Sequence, residues 1–267
     1  MFTQYFSLKF DPFTKELEEK DAFLSKDAKE LLSRLEHAKK TRGFFLLTAG
    51  AGFGKTTILR KFASALNPGL FKPYYSALSS LTVMDFYRGL ILSMGEIPAY
   101  QKVRMFEQLQ RLISASYYER KVTPVFILDE AQAFSGGVLE DLRMIFNFRM
   151  DSENPFITIL AGDINIRRKL QLSSNQALRQ RILGNYHMTG LLREEIGDYV
   201  KSRLILAGAA DTNVFTDAAL ESMFTSTGGA LRLVNTLAAA SMTCACSRNL
   251  SVIDDEIVYQ ADRDIEI

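Results

Sequence analysis

Residues 49–56 combine small residues with a lysine and a hydroxyl in a spacing that suits phosphate binding. They are Ala49, Gly50, Ala51, Gly52, Phe53, Gly54, Lys55 and Thr56. Glycines let backbone N–H groups turn toward phosphate oxygens, and a helix that begins there adds positive potential. Lys55 would reach the β- and γ-phosphates of a nucleoside triphosphate, and the Thr56 hydroxyl would bind Mg²⁺. Together with Thr57, these residues are the predicted nucleotide-binding loop.

The acidic pair Asp129–Glu130 is a second group of residues whose types suit catalysis. Residues 125–128 before it are all apolar, which is typical of a parallel strand buried on both faces. Ligands of parallel sheets bind at the carboxyl ends of strands, so the pair would face the ligand crevice. Asp129 would hold Mg²⁺ directly or through water, and Glu130 would act as the general base on the attacking water. The sequence therefore predicts hydrolysis as well as binding.

Length and composition limit the class of protein. With 267 residues, of which 47% are hydrophobic, the chain can form a sizeable core and more than one part. The net charge of +1 and the pI near 7.7 are not those of a strongly basic nucleic-acid-binding domain, so any DNA contact must come from local patches or from many subunits. Cys244 and Cys246 are too close in sequence for an ordinary disulfide, and no secretory signal or membrane-length apolar run is present. We expect a reduced, cytoplasmic protein without a membrane segment.

Apolar spacing along the chain alternates between strand and helix. Strands are predicted over 44–48, 72–76, 125–130, 156–162 and 186–191, and helices over 27–39, 57–66, 83–94, 101–118 and 138–150. Such alternation predicts an α/β fold with a parallel sheet flanked by helices. After Arg193 only helical patterns remain. The expected organisation is an α/β nucleotide-binding domain over 1–192 and a small helical lid domain over 193–267.

The order of these elements resembles that of the AAA+ ATPases, which are P-loop NTPases, and in particular the ExeA-like branch. Residues 5–13 are similar to the start of that branch, and residues 192–208 resemble the entry to its lid. Residues 229–235 resemble its G-x-P-R-x-I-N motif, with Leu231 in place of the proline. The resemblance covers nearly the whole chain and implies an ATPase that uses ATP and Mg²⁺.

The resemblance also implies further site residues. Arg232 matches the sensor-2 arginine, which faces the γ-phosphate in its own subunit. Arg181 matches the arginine finger that completes a neighbour's site, with Arg179 as the alternative. Because such a site spans two subunits, the active form would be a homo-oligomer, either a ring or a helical filament. Phe10 and Phe13 would pack near the adenine.

One position departs from the pattern of the resembled family. The sensor-1 position after the fourth strand normally carries a neutral polar residue, whereas here Gly162 is followed by Asp163. A carboxylate near the γ-phosphate repels negative charge, so we expect slow, switch-like hydrolysis. Asn165 is the alternative for this role.

The resemblance leaves more than one function open. Helper ATPases of transposons, of the TniB, TnsC and MuB type, oligomerise with ATP on duplex DNA without sequence preference and recruit a transposase. Residues 147–155 are also similar to the transposon-linked members. Secretion and pilus-assembly members instead continue into a membrane helix and a cell-wall-binding domain, and we expect neither of these in this protein. We expect a regulator of DNA transposition; the alternatives are an ExeA-like secretion or pilus-assembly ATPase and a clamp-loading or signalling ATPase, none of which contacts DNA.

Candidate DNA contacts follow from the helper resemblance. In helper filaments, the loops and helix starts after the second strand line the inner face. On this sequence those positions are Ser79, Ser80, Thr82, Lys102 and Arg104. The cations would meet phosphates and the hydroxyls would bond the DNA backbone, so the contacts would be sequence-blind and sensitive to salt.

Overall fold

One parallel sheet of five strands organises most of the chain. The structure is a computed structural model that describes residues 2–14, 21–77 and 82–265. The strands lie in the order β2-β3-β4-β1-β5, and all four neighbouring pairs are parallel. Their bounds are β1 Gly43–Ala49, β2 Phe71–Ser76, β3 Thr123–Leu128, β4 Ile157–Gly162 and β5 Ile182–Met188. The predicted α/β class with a parallel sheet is confirmed.

The apolar runs identified in the sequence become the interior strands. Every residue of β1, β3 and β4 is buried, as expected for parallel strands covered on both faces. Thr48 near the end of β1 lies opposite Gly162 of β4 and His187 of β5. The register therefore aligns the carboxyl ends of these strands at one edge of the sheet.

Helices connect the strands and make up the C-terminal part of the chain. Within the described residues the α-helices are α1 Phe2–Tyr5, α2 Lys26–Thr41, α3 Lys55–Ser64, α4 Val83–Ser93, α5 Lys102–Ser114, α6 Gly136–Ile145, α7 Ile164–Gln171, α8 Gln176–Gln180, α9 Ile196–Leu206, α10 Asp217–Thr227, α11 Leu231–Ser247 and α12 Asp255–Ile265. Helix α5 continues into one π-helical turn, Ala115–Glu119. None of the helices in the described residues is long and apolar enough to cross a membrane.

The helix predicted over 138–150 ends earlier than its apolar spacing suggested. Helix α6 ends at Ile145, and the next residue, Phe146, has φ −92° and ψ 26°. Three successive residues, 149–151, then have positive φ values of 46°, 54° and 66°. An isolated antiparallel bridge between Phe148 and Glu153 closes this turn. Apolar residues continue past the helix because Phe146 and Phe148 enter the core from a non-helical backbone.

The last strand is also shifted from its predicted position. Residues 186–191 were expected as the strand, but β5 covers Ile182–Met188. Its burial alternates between half-buried and exposed up to the last residue, as is typical of a strand at the sheet edge. Because β5 lacks a continuous apolar run, the sequence gives little indication that its first half is a strand.

The chain divides into two compact units. One unit comprises residues 31–50 and 58–188, and the other comprises residues 1–30, 51–57 and 189–267. The first has a core of sheet and helix residues that includes Phe126, Phe146 and Phe156. The second has its own core, in which α9, α11 and α12 pack around residues such as Val200 and Leu237. The domain boundary at residue 192 remains a prediction.

Candidate active site

The glycine-rich segment forms the loop between β1 and α3. β1 ends at Ala49 and α3 begins at Lys55, so residues 50–54 make the connection. Gly52 and Gly54 have φ values of +82° and +86°, a region that side-chain-bearing residues rarely adopt. A Cβ atom on Gly52 would lie 2.8 Å from the Cβ of Arg232. Glycine at position 52 is therefore required both by the backbone and by the close approach of α11.

Arg232, the predicted sensor-2 residue, lies directly beside this loop. Its backbone N–H donates a hydrogen bond to the carbonyl oxygen of Gly52, at 3.0 Å. The preceding residue, Leu231, has its Cδ1 atom 2.8 Å from where a Cβ on Gly54 would be. The Arg232 side chain is exposed. The start of α11 is thus fixed against the loop, while contact of the guanidinium with a γ-phosphate remains a prediction.

Lys55, Thr56 and Thr57 form the first turn of α3. Lys55 is half-buried, whereas Thr56 is exposed. The N-terminus of an α-helix presents unpaired N–H groups and positive potential, which favours phosphate there. This placement is compatible with the predicted roles of Lys55 on the phosphates and Thr56 on Mg²⁺.

Asp129 follows the last residue of β3 and is only 2% exposed. Its Oδ1 accepts a hydrogen bond from the N–H of Glu130 at 2.9 Å, and its Oδ2 accepts one from the Tyr75 hydroxyl at 3.3 Å. Burial raises the pKa of Tyr75 to about 12, with the Asp129 carboxylate as the next contribution. The hydroxyl therefore stays protonated and donates. Sequence reasoning missed Tyr75; its position near the end of β2, the strand next to β3, was the available signal.

Glu130, the predicted general base, lies in the left-handed region with φ 56° and ψ 33°. Its Oε2 accepts a hydrogen bond from Nε2 of Gln132 at 2.6 Å. The Oε1 of Gln132 in turn accepts from the backbone N–H of Asp163, at 3.1 Å. Glu130 and Asp163 are thus brought together at the ends of β3 and β4. Sequence reasoning also missed Gln132, although it lies two residues after the Glu130 that it contacts.

The carboxylate of Asp163, the candidate sensor-1 residue, caps helix α7. Its Oδ1 accepts from the backbone N–H of Asn165 at 2.7 Å, and its Oδ2 accepts from the Asn165 side chain at 3.1 Å. Asp residues commonly cap helices in this way. Both candidates for the sensor-1 role, Asp163 and Asn165, are therefore bonded to each other.

Comparison with known proteins shows the family to which this chain belongs. The sequence profile of the AAA domain family matches residues 26–170, which is more than half of the 267-residue chain. The chain belongs to the AAA domain family. It is accordingly an AAA+ ATPase that binds nucleotide, and its sheet and glycine loop are those of the P-loop NTPase fold.

Relatives and solved structures agree with this assignment. This ATPase is 30% identical to General secretion pathway protein A of Aeromonas hydrophila over 253 residues. The aligned stretch covers 93% of this chain and 45% of that protein. Its fold is similar to that of the Aeropyrum pernix ORC2 protein in ADPNP–ADP complexes, with TM-score 0.68, 15% identity, and 95% and 70% of the two chains covered. The Aeropyrum pernix ORC1 protein in complex with DNA matches with TM-score 0.61, 17% identity, and 95% and 67% coverage. The chain spans less than half of the length of the curated relatives that it matches.

The two arginine-finger candidates of the ATPase differ in their surroundings. The Arg181 side chain is 15% exposed and forms an ion pair with Asp151. Its Nε donates to Asp151 Oδ2 at 3.1 Å, and its Nη1 donates to the carbonyl oxygen of Arg143 at 2.6 Å. Arg179 on α8 is exposed. Arg181 would have to leave these partners to reach a neighbouring subunit.

The two aromatic residues predicted to contact the adenine, Phe10 and Phe13, differ in burial. Phe10 is 45% exposed, whereas Phe13 is 6% exposed and belongs to the core around Val200 and Leu237. The carbonyl oxygen of Pro12, next to Phe13, accepts from the buried Arg203. Phe13 therefore has a packing role, and an adenine contact of either ring remains a prediction.

The predicted DNA contacts are only partly described. Ser79 and Ser80 lie outside the described residues. Thr82 caps helix α4 by accepting from the N–H of Asp85 at 3.2 Å. The two cations have carboxylate neighbours, since Lys102 Nζ bonds Asp141 Oδ1 at 2.9 Å and Arg104 Nη1 bonds Glu107 Oε2 at 3.1 Å. Lys102 and Arg104 are exposed, at and near the start of α5.

Proposed function

We propose that this ATPase is an ATP-dependent, DNA-binding regulator of DNA transposition. In this proposal it acts in the cytoplasm, oligomerises as a ring or filament on duplex target DNA, and recruits and activates a transposase. ATP hydrolysis then drives disassembly. The observation that supports DNA binding most directly is the fold that 95% of the chain shares with an ORC1 protein whose structure contains DNA.

The proposed nucleotide chemistry uses the residues of the glycine loop and of the acidic pair. Lys55 binds the phosphates, and Glu130 accepts a proton from the attacking water. The Thr56 hydroxyl and the Asp129 carboxylate are hard oxygen donors of the kind that Mg²⁺ prefers, and Asp129 is already oriented by two hydrogen bonds. When bound, the metal would supply positive charge to the phosphates. Arg232 would sense the γ-phosphate from the lid domain, residues 193–267.

Slow hydrolysis is part of the proposal. The carboxylate of Asp163 occupies the position where a neutral polar residue is expected, and its two oxygens are bonded to Asn165. A switch needs a triphosphate state that lasts long enough for assembly, and slow hydrolysis provides it. The proposed finger, Arg181 or Arg179, would make hydrolysis depend on the oligomer.

A second candidate function is a secretion or pilus-assembly ATPase that does not contact DNA. The observation that favours it is the 30% identity to General secretion pathway protein A over 93% of this chain. Because the chain covers 45% of that protein, its activity as a whole is only a proposal for this chain.

DNA binding in defined nucleotide states distinguishes the two candidates. The purified protein is mixed with duplex DNA in ATP, in a non-hydrolysable analogue, in ADP or without nucleotide, and the products are imaged by negative stain. We expect rings or filaments on DNA only with a triphosphate, and none with Lys55→Ala. Lys61→Ala, which removes a lysine from the same helix α3, is the matched control.

Two results would reject the transposition proposal. One is the absence of DNA binding at low salt by a protein that still binds ATP, which would favour the secretion-type candidate. The other is DNA binding that is equal in all nucleotide states, because a nucleotide switch would then be missing.

A further inference from the structure

The side chain of Gln132 joins two residues of the candidate active site that come from different strand ends. Its Nε2 lies 2.6 Å from Glu130 Oε2, and its Oε1 lies 3.1 Å from the backbone nitrogen of Asp163. The orientation of the carboxamide is fixed by chemistry, since a carboxylate only accepts and a backbone N–H only donates. The reversed amide would face an acceptor with an acceptor and a donor with a donor. Gln132 therefore forms a bridge with a defined direction: it donates to Glu130 and accepts from the N–H of Asp163.

The backbone of Glu130 shows why its carboxylate needs a partner. A residue with a side chain in the left-handed region costs about 1–2 kcal/mol, and such residues persist where surrounding contacts over-determine them. The contacts here include the bond from the Glu130 N–H to Asp129 Oδ1 at 2.9 Å and the bond from Gln132. One fixes the backbone of Glu130, and the other fixes its carboxylate.

Gly162 at the end of β4 makes room for the bridge. A Cβ atom on Gly162 would lie 2.6 Å from Gln132 Oε1 and 3.2 Å from the backbone nitrogen of Gln132. The side-chain contact is closer than real Cβ atoms allow, so even alanine at position 162 would displace the carboxamide. The absence of a side chain at Gly162 thus permits the glutamine to reach Asp163.

We propose that Gln132 is a positioning residue for ATP hydrolysis, which holds the carboxylate of Glu130 by anchoring it to the end of β4. The inference rests on the proposed role of Glu130 as the general base. Through this bridge, any movement of the backbone at Asp163 changes the position of the Glu130 carboxylate. Gln132 itself touches neither substrate nor metal in this proposal.

The kinetics of variants at position 132 test the proposal. Gln132→Ala removes both bonds, and we expect kcat to fall about 10- to 100-fold, less than the roughly 10²- to 10⁴-fold that a general base contributes, because Glu130 itself remains. KM for ATP should stay within about threefold, because ground-state binding is not affected. Gln132→Glu keeps an acceptor for the Asp163 N–H but loses the donor to Glu130, so we expect a loss at least as large. If Gln132 only stabilised the end of β4 through its bond with the Asp163 N–H, Gln132→Glu would retain wild-type kcat. That result would overturn the proposal.

Double variants show whether Gln132 acts through Glu130. In a Glu130→Gln background, single-turnover hydrolysis should fall by less than about twofold on adding Gln132→Ala, because the carboxylate that is positioned is gone. Gly162→Ala should slow the wild type but have little further effect in Gln132→Ala, where the displaced carboxamide is absent. Additive losses in either pair would contradict the proposal.

Controls separate this inference from the proposed function. Gln110→Ala removes a glutamine whose side chain donates to two backbone carbonyl oxygens outside the candidate site, those of Ile145 and Asn147, and should leave kcat unchanged. Thermal unfolding and ATP-analogue binding show that each variant is folded. Wild-type hydrolysis by Glu130→Gln would reject Glu130 as the base, and the inference with it. An inactive Glu130→Gln beside a fully active Gln132→Ala would reject the inference alone.

Discussion

The backbone N–H of Arg232 donates a hydrogen bond to the carbonyl oxygen of Gly52, at 3.0 Å, and the two residues are so close that a Cβ on Gly52 would lie 2.8 Å from the Cβ of Arg232. The start of α11 and the glycine loop therefore fit together through backbone atoms. We therefore expect a nucleotide that orders the loop also to order the start of α11.

Gly52→Ala should weaken ATP-analogue binding by at least about tenfold, because the variant meets both a positive-φ penalty of about 1–2 kcal/mol and a clash with Arg232. Gly95→Ala is the matched control, since Gly95 has φ +91° and no atom within 4 Å of its Cβ position. It should share the stability loss and keep ATP binding. Fluorescence titration and thermal unfolding measure the two effects, and equal binding losses in both variants would refute the loop-specific explanation.

Tyr75→Phe should lower kcat about fivefold, because it removes the hydroxyl that orients the buried Asp129 and such a bond contributes about 1 kcal/mol. Tyr74→Phe is the neighbouring control, since Tyr74 stacks on Phe126 instead. Steady-state hydrolysis at saturating ATP and Mg²⁺ measures the difference. An unchanged kcat in Tyr75→Phe would show that Asp129 is held without the tyrosine.

Arg181→Ala should destabilise the folded chain by about 1–3 kcal/mol, because it leaves Asp151 and the carbonyl oxygen of Arg143 without their charged partner. Arg179→Ala should change stability by less than about 0.5 kcal/mol, as an exposed position. Denaturant unfolding measures both.

Complementation then locates the finger. If Arg181 acts on a neighbour's site, mixing Arg181→Ala with Lys55→Ala should restore part of the lost hydrolysis, because each subunit supplies what the other lacks. Rescue of Arg179→Ala alone would move the finger to Arg179, and rescue of neither would argue against a shared site at these arginines.

Arg104→Ala should reduce the salt dependence of DNA binding, with the slope of log K against log salt falling by about 0.9 if one phosphate contact is lost. Glu107→Ala removes the carboxylate 3.1 Å from Arg104 and should strengthen binding instead. Lys102 is less suited to this test because Asp141, its partner, is 8% exposed and would lose its cation. Fluorescence anisotropy across a salt series gives the slopes, and identical slopes for the wild type and Arg104→Ala would remove Arg104 from the interface.

Local patterns predicted the elements that carry the candidate site. The apolar runs before Gly50 and Asp129 are fully buried strands, because a parallel strand covered on both faces needs no polar position. The loop between β1 and α3 was likewise predictable, because glycine readily adopts positive φ values that other residues rarely adopt. Gly52 and Gly54 have such values in the structure. Element ends were less predictable: α6 stops at Ile145 although apolar residues continue, because periodicity does not distinguish a helix from an irregular segment that enters the same core.

Strand burial and glycine spacing are local properties of the chain, so the fold class and the positions of the glycine loop and of Asp129–Glu130 could be predicted without a structure. The side chains that contact the acidic pair could not. Tyr75 reaches Asp129 from 54 residues away, and Gln132 reaches Asp163 from 31 residues away. These contacts depend on β2, β3 and β4 lying side by side in the sheet, and strand order is set by packing between distant segments, which no local pattern records.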